Sequence, residues 1–152
     1  MALTAPASKY KIKTYLIYMA VLVGFGAWLF YDGYYNQSFI EKHSPNDNPD
    51  MTIVFHRKAP PYFVGAAALL GVYVLVIRNK KVVAEDNALV IDGKVSIPYD
   101  SVQKIDKTDF DAKGHFTFTY KTTDGREIDR KISDRNYDNL KPILEHLVAK
   151  IS

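Results

Sequence analysis

Two stretches of the chain contain no charged side chain and are strongly apolar. The first covers residues 14–31, TYLIYMAVLVGFGAWLFY, and the second covers residues 59–77, APPYFVGAAALLGVYVLVI. A helix needs about 20 apolar residues to cross a hydrocarbon layer about 30 Å thick. A buried core helix of a small soluble protein would keep one polar stripe, and neither stretch has one. The pattern therefore predicts transmembrane helices at residues 14–31 and 59–78.

Basic residues lie just before the first stretch and just after the second. They are Lys9, Lys11, Lys13, Arg78, Lys80 and Lys81. The connection, residues 32–58, holds more acidic than basic side chains, although Arg57 and Lys58 adjoin the second stretch. Cytoplasmic flanks of membrane proteins carry the excess of Lys and Arg. We therefore predict that the N-terminal segment 1–13 and residues 79–152 are cytoplasmic, with the connection on the extracytoplasmic side.

A secretory signal peptide is the alternative interpretation of the first stretch, because a basic leader precedes it. Its apolar run exceeds the usual length of about 7–15 residues, and no small-x-small cleavage site follows. This favours a retained anchor. In the connection, SPNDNPD at residues 44–50 is typical of turns, and MTIVF at residues 51–55 is expected to lie against the membrane or a partner.

The apolar period changes to strand-like alternation after Lys80. Asp92-Gly93 and Asp124-Gly125 are hairpin turn signals. Six strands are predicted, at residues 82–84, 88–91, 95–99, 102–105, 115–121 and 126–132. In the last of these, Ile128 and Ile132 are expected to point inward.

The chain ends in a pattern typical of an amphipathic helix. Apolar residues recur at spacings of three and four: Tyr137, Leu140, Leu144, Leu147 and Ile151. If Asn139 caps this helix, Pro142 falls in the first turn, where its missing amide is tolerated. The sequence thus predicts an α+β membrane protein, with a two-helix hairpin followed by an antiparallel β domain and a C-terminal helix.

This order of elements resembles the bacterial pleckstrin-homology-like (PH-like) domain of small membrane proteins. The resemblance rests on ALVIDGKVSIPYDSVQKID, on FTFTYKTTDGREIDRKI and on the final helix, and it covers about half of the chain. It implies an antiparallel β-barrel or sandwich of seven strands, placed at a bacterial inner membrane. Because the pattern gives six strands, the seventh is expected to be missing or to lie near Phe110.

The sequence contains no recognisable set of catalytic, cofactor-binding or metal-binding residues. The histidines His43, His56, His115 and His146 are scattered, and their spacing is not that of metal ligands. With no cysteine, thiolate chemistry and disulfides are excluded. Neither stretch contains the charged groups that ion pathways use. We therefore expect a protein that is not an enzyme and has no small-molecule substrate.

Two sets of residues remain as candidates for contacts. Ala20 with Gly24, and Ala67 with Gly71, form small-xxx-small pairs that either pack helices together or reflect ordinary composition. The candidate lipid headgroup contacts are Arg78, Lys80 and Lys81.

The formal net charge of +3 lies entirely in residues 1–78, so it indicates topology more than an anionic ligand. The sequence contains no basic patch interleaved with exposed aromatic residues, so it gives no indication of nucleic-acid binding. The expected function is an accessory or scaffolding subunit of a larger membrane complex, in contact with the bilayer and other membrane subunits. The alternative is a lipid-sensing module.

Overall fold

The computed structural model describes residues 1–152 and divides them into two compact units. One unit consists of residues 13–75. The other combines residues 1–12 with residues 76–152 and contains all the strands. The second unit therefore includes most of the segment that the sequence pattern set apart as an N-terminal tail.

Helices dominate residues 13–75. Helix α1 covers Lys9–Tyr34, α2 covers Gln37–His43, α3 covers Met51–Lys58 and α4 covers Pro60–Arg78. Both α1 and the α3–α4 segment are long and apolar enough to cross a membrane, judged by length and composition. Only Ala59 separates α3 from α4, because the proline pair that follows is tolerated in the first turn of a helix.

The connection contains more regular structure than its turn-rich sequence predicts. Asp50 caps α3, and its Oδ1 accepts hydrogen bonds from the amides of Thr52 and Ile53 at 2.9 and 3.0 Å. Asn36 caps α2 by accepting the amide of Phe39 at 3.4 Å. These caps satisfy amides that a helix start leaves unpaired, so short helices form on either side of the turn at Pro45–Asp47.

Seven strands form two antiparallel sheets. The first sheet has the order β1 (Leu3–Pro6), β2 (Lys81–Ala84), β3 (Ala88–Ile91) and β4 (Val95–Pro98). The second has the order β5 (Val102–Asp106), β6 (His115–Lys121) and β7 (Glu127–Ser133). No strand pairing joins the two sheets, so the unit is not a closed barrel. Both predicted turns occur, and Asp92, Gly93 and Gly125 adopt positive φ angles there.

The seventh strand lies at the N-terminus, and the expectation that it lies near Phe110 is wrong. Phe110 instead begins a short helix, α5 (Phe110–Lys113). Strand β1 pairs with β2 in the register Leu3↔Ala84 to Pro6↔Lys81, and Ala5 is fully buried. A four-residue strand that ends at a proline is too short to give an alternating pattern. Residues 7–80 are thus an insertion between two adjacent strands.

One apolar core fills the space between the sheets and the last helix, α6 (Leu140–Ile151). Phe116, Phe118, Leu89 and Ile97 contribute from the strands. The helix buries Leu140, Ile143, Leu144 and Leu147.

Two predictions about the ends of these elements have different outcomes. Pro142 lies in the first turn of α6, as predicted, although the Asn139 side chain makes no capping bond. Ile132 is buried, but the prediction that Ile128 points into the core is wrong, since 37% of it is exposed. Ile128 pairs with Tyr120 beside the turn, beyond the buried part of the hairpin.

The burial of Ala5 makes β1 testable with a pair of adjacent substitutions. We expect Ala5→Lys to destabilise the β unit by about 3 kcal/mol or more, because it places an unpaired charge in the core. The matched change Thr4→Lys lies on the exposed side of the same strand and should cost less than about 1 kcal/mol. Thermal unfolding of the full chain in detergent, followed by circular dichroism, measures both. Equal effects of the two substitutions would contradict the pairing.

Candidate functional site

A seam of small and apolar residues runs along the helices of residues 13–75. On α1 its members recur at spacings of three and four: Tyr15, Met19, Leu22, Gly26, Leu29 and Gly33. On α3 and α4 the corresponding members are Ile53, His56, Pro60, Phe63, Ala67, Leu70 and Val74. This alternation is the spacing of helices that pack side by side in a left-handed supercoil.

Three glycines make close contacts in the seam or directly beside it. A Cβ added at Gly26 would lie 3.2 Å from the Cβ of Phe63, and one added at Gly71 would lie 3.2 Å from Cε of Met19. At Gly33 the nearest atoms belong to His56 and Arg57, at 3.1 Å. Larger side chains at these positions would push the helices apart.

The four predicted packing residues divide into two groups. Ala67 lies in the seam and is buried, and Gly71 adjoins the seam residue Leu70 and packs near Met19 of α1. Ala20 and Gly24 are exposed, and nothing lies within 4 Å of a Cβ added at Gly24. The small-xxx-small pattern therefore identified one pair at the contact and one pair away from it. It missed Gly26 and Gly33, which a search for glycines seven residues apart would have found.

The two classes of glycine on α1 give a matched comparison. We expect Gly26→Leu to lower the stability of the full chain in detergent by about 1–3 kcal/mol, because the added side chain meets Phe63. Gly24→Leu adds the same volume on the open side and should leave the unfolding temperature within a few degrees of wild type. The fluorescence of Trp28, the one tryptophan, reports unfolding. A larger effect from Gly24→Leu would exclude this packing.

Aromatic and imidazole rings hold α2 and α3 together and connect them to α1. Phe39 contacts both His43 and His56, with ring centroids 4.5 Å apart in each case. Nδ1 of His56 donates to the carbonyl of Thr52 at 2.8 Å, and Trp28 packs edge-on against the same ring. Both histidines therefore have structural contacts, and no group of three or more potential metal ligands is present.

The end of α1 is fastened to α3 by Arg57. Its Nε donates to the carbonyl of Gly33 at 2.8 Å, and its guanidinium lies 5.6 Å from the ring centre of Tyr34. Asp32, which precedes Gly33 in the chain, is buried and accepts a hydrogen bond from Asn36 at 2.8 Å.

The run MTIVF at residues 51–55 forms the first part of α3. Ile53 is fully buried, whereas Met51 and Phe55 are exposed.

His43 and Asp50 form a hydrogen bond at the start of α3. Nδ1 of His43 lies 2.8 Å from Oδ2 of Asp50, and this hydrogen bond, helped by the capped amide of Ile53, lowers the pKa of Asp50. A carboxyl with a lowered pKa stabilises the fold above its ordinary value of 3.8, and that stabilisation is lost as the pH falls through the lowered value.

Titration of the capped amides tests this account. The amide resonances of Thr52 and Ile53 should shift with a midpoint below 3.8, because they report protonation of the carboxylate that accepts them. The His43→Ala variant should raise this midpoint towards 3.8, while Asp47→Asn, a nearby exposed change, should leave it unmoved. An unchanged midpoint in His43→Ala would show that the histidine does not act on Asp50.

Basic side chains converge at one end of the β unit. The register Pro6↔Lys81 places the first turn of α1 and the last turn of α4 at the same end of the first sheet. We call the five cations there the basic junction: Lys9, Lys11, Arg78, Lys80 and Lys81. The predicted headgroup contacts Arg78, Lys80 and Lys81 thus share this end with Lys9 and Lys11, which lie about 70 positions earlier in the chain.

The loop before α6 closes the basic junction on one side. The amide of Ser8 donates to the carbonyl of Asn136 at 2.9 Å, and Nζ of Lys11 donates to Oδ1 of Asn136 at 2.7 Å. The hydroxyl of Tyr137 donates to Asp92 at 2.9 Å. Burial, reinforced by this carboxylate, raises the pKa of Tyr137, so the phenol stays protonated as the donor.

Comparison of the chain with models of protein families, with curated proteins and with solved structures finds no match. The proposed function therefore rests on the structure of this chain.

Proposed function

We propose that this protein is a non-enzymatic integral membrane protein whose β unit is held at the cytoplasmic face as an accessory or scaffolding module. The spans are α1 and α4, with α3 extending the second. The observation that carries the proposal is the exposure of large apolar side chains along both helices: Leu16, Ile17, Val21, Val23, Leu69, Val72, Leu75 and Val76. Apolar surface of this extent is stable when lipid covers it.

The pairing of β1 with β2 supports a topology with both termini on one side. The chain leaves β1 into α1 and returns from α4 into β2, and the two strands are hydrogen-bonded neighbours. Two spans bring the chain back to the side from which it started. By the positive-inside rule the basic junction favours the cytoplasm for that side, and we propose a bacterial inner membrane as the location.

The PH-like character of the β unit is supported by its strand count and by its last helix. Seven strands followed by α6 are what the resemblance implies, once β1 is included. The open arrangement of two sheets leaves strand edges free, and such edges can accept a partner's strand. Partners of the scaffolding module would be other membrane subunits that contact these edges and the outward faces of the spans.

The absence of cysteine allows a direct test of topology. Single cysteines are placed at three exposed positions, Ala2, Asn48 and Thr123. In intact cells an impermeant maleimide should label only the Asn48→Cys variant, and after permeabilisation it should label all three. Labelling of position 48 together with position 2 or 123 in intact cells would contradict the proposal, as would release of the chain from membranes by alkaline carbonate.

The scaffolding role is tested by purification from native membranes in mild detergent. We expect the chain to co-purify with at least one other membrane protein in a fixed ratio. A stable monomer that carries lipid and no protein would instead favour the second candidate, a lipid-sensing module, for which the basic junction is the supporting observation.

A further inference from the structure

A small cavity lies inside the basic junction, between the start of α1 and the loop before α6. Its volume is about 90 Å³, and its polar wall consists of Ser8, Lys11, Lys80 and Asn136. Ala7, Ile12 and Ile77 add apolar side chains to the lining. The cavity therefore combines donors with an apolar part.

The charges around the cavity favour an anion. Lys11 is hydrogen-bonded to a neutral amide, and Nζ of Lys80 is 3.9 Å from Oδ2 of Asp92, at the outer limit of an ion pair. Lys9, Arg78 and Lys81 form no ion pair in the structure and add further positive charge. Asp92 also accepts the Tyr137 hydroxyl, and Asp138 accepts the amide of Lys9 at 3.0 Å. Lys11 and Lys80 are the two cations that line the cavity itself.

Donors in the cavity suit a phosphate group. A lysine ammonium carries three donors, so Lys11 can keep its bond to Asn136 and still donate to a ligand. The hydroxyl of Ser8, which is nearly fully buried, accepts the amide of Lys11 at 3.4 Å and can still donate its own proton. Ser8 also precedes the first turn of α1, where the backbone amides carry partial positive charge.

We propose that this cavity binds the phosphate of one anionic phospholipid headgroup, held between Lys11 and Lys80. The inference rests on the proposed membrane insertion, which places the ends of both spans at headgroup depth. Ile12 and Ile77, which also line the cavity, then lie where the acyl chains begin. Phosphatidylglycerol satisfies the site, whereas the choline group of phosphatidylcholine brings a cation towards the lysines.

Native mass spectrometry of the full chain, released from nanodiscs of equal parts phosphatidylglycerol and phosphatidylcholine, tests the proposal. We expect one phosphatidylglycerol to be retained in preference to phosphatidylcholine. The double variant Lys11→Gln/Lys80→Gln should reduce that retention by about fivefold or more. The charge-conserving Lys11→Arg/Lys80→Arg should retain the lipid, which separates a lost cation from a damaged fold.

The matched control is Lys104→Gln/Lys121→Gln, which removes the same charge from exposed positions on β5 and β6. An equal loss of lipid in this control would overturn the proposal, because general attraction would then explain the binding. Inorganic phosphate is the second probe. If the chain retains no phosphatidylglycerol but binds millimolar phosphate, and Lys11→Gln/Lys80→Gln abolishes that binding, the cavity takes free phosphate and the lipid assignment is wrong. A chain that stays in membranes yet retains no phosphatidylglycerol fails this inference alone, whereas a chain released by carbonate fails the proposed function.

Discussion

The pairing of β1 with β2 is the constraint on which the rest of the structure depends. Four residues at the start of the chain complete a sheet whose other strands begin at Lys81, so the chain between them must leave and return at one edge. Antiparallel neighbours lie about 5 Å apart. The start of α1 and the end of α4 are therefore held side by side, and this alone brings the basic flanks of both helices to one place. The cavity between Lys11 and Lys80 exists only because of this closure.

Packing within the helices relies on a different device, the absence of side chains. A Cβ added at Gly26, Gly33 or Gly71 would lie 3.2, 3.1 or 3.2 Å from the nearest neighbouring atom. Under the proposed membrane insertion, the helices gain little from hydrophobic association, because lipid tails are as apolar as the side chains, so close van der Waals contact has to stabilise the pair. The seam continues through α3, where Ile53 and His56 take seam positions. Helix α3 thereby becomes part of the same packed unit as α1 and α4.

Much of the fold follows from the sequence pattern, and the failures have identifiable physical causes. Some features depend only on residues that are close together in the chain, so a local pattern predicts them. They are the uncharged apolar runs, the two Asp-Gly hairpin turns and the helical spacing of the last segment. Strand β1 was missed because its only partner is about 80 positions away in the chain. The burial of Ile128 was misjudged because alternation identifies the face of a strand and not how far the core extends along it.

Only part of the candidate site can be predicted from the sequence. Arg78, Lys80 and Lys81 were recognisable as a basic flank, and so were Lys9 and Lys11. That the two flanks form one site depends on strand register, which no local pattern encodes. The same holds for Gly26 and Gly33, which are seam residues because of the helix opposite them. Ala20 and Gly24 match the small-residue motif equally well and face outward.

The most direct test of the account is a disulfide across the β1–β2 pair in the cysteine-free chain. Thr4 lies opposite Val83, and Val90 lies one strand further on the same face. In membranes, the Thr4→Cys/Val83→Cys variant should oxidise to a cross-linked monomer, with a bridge between positions 4 and 83 identified by peptide mass mapping. The Thr4→Cys/Val90→Cys variant should not, because a separation of about 10 Å exceeds the reach of a disulfide. A failure of the first variant to cross-link, or equal cross-linking of both, would contradict the closure of residues 7–80 by β1.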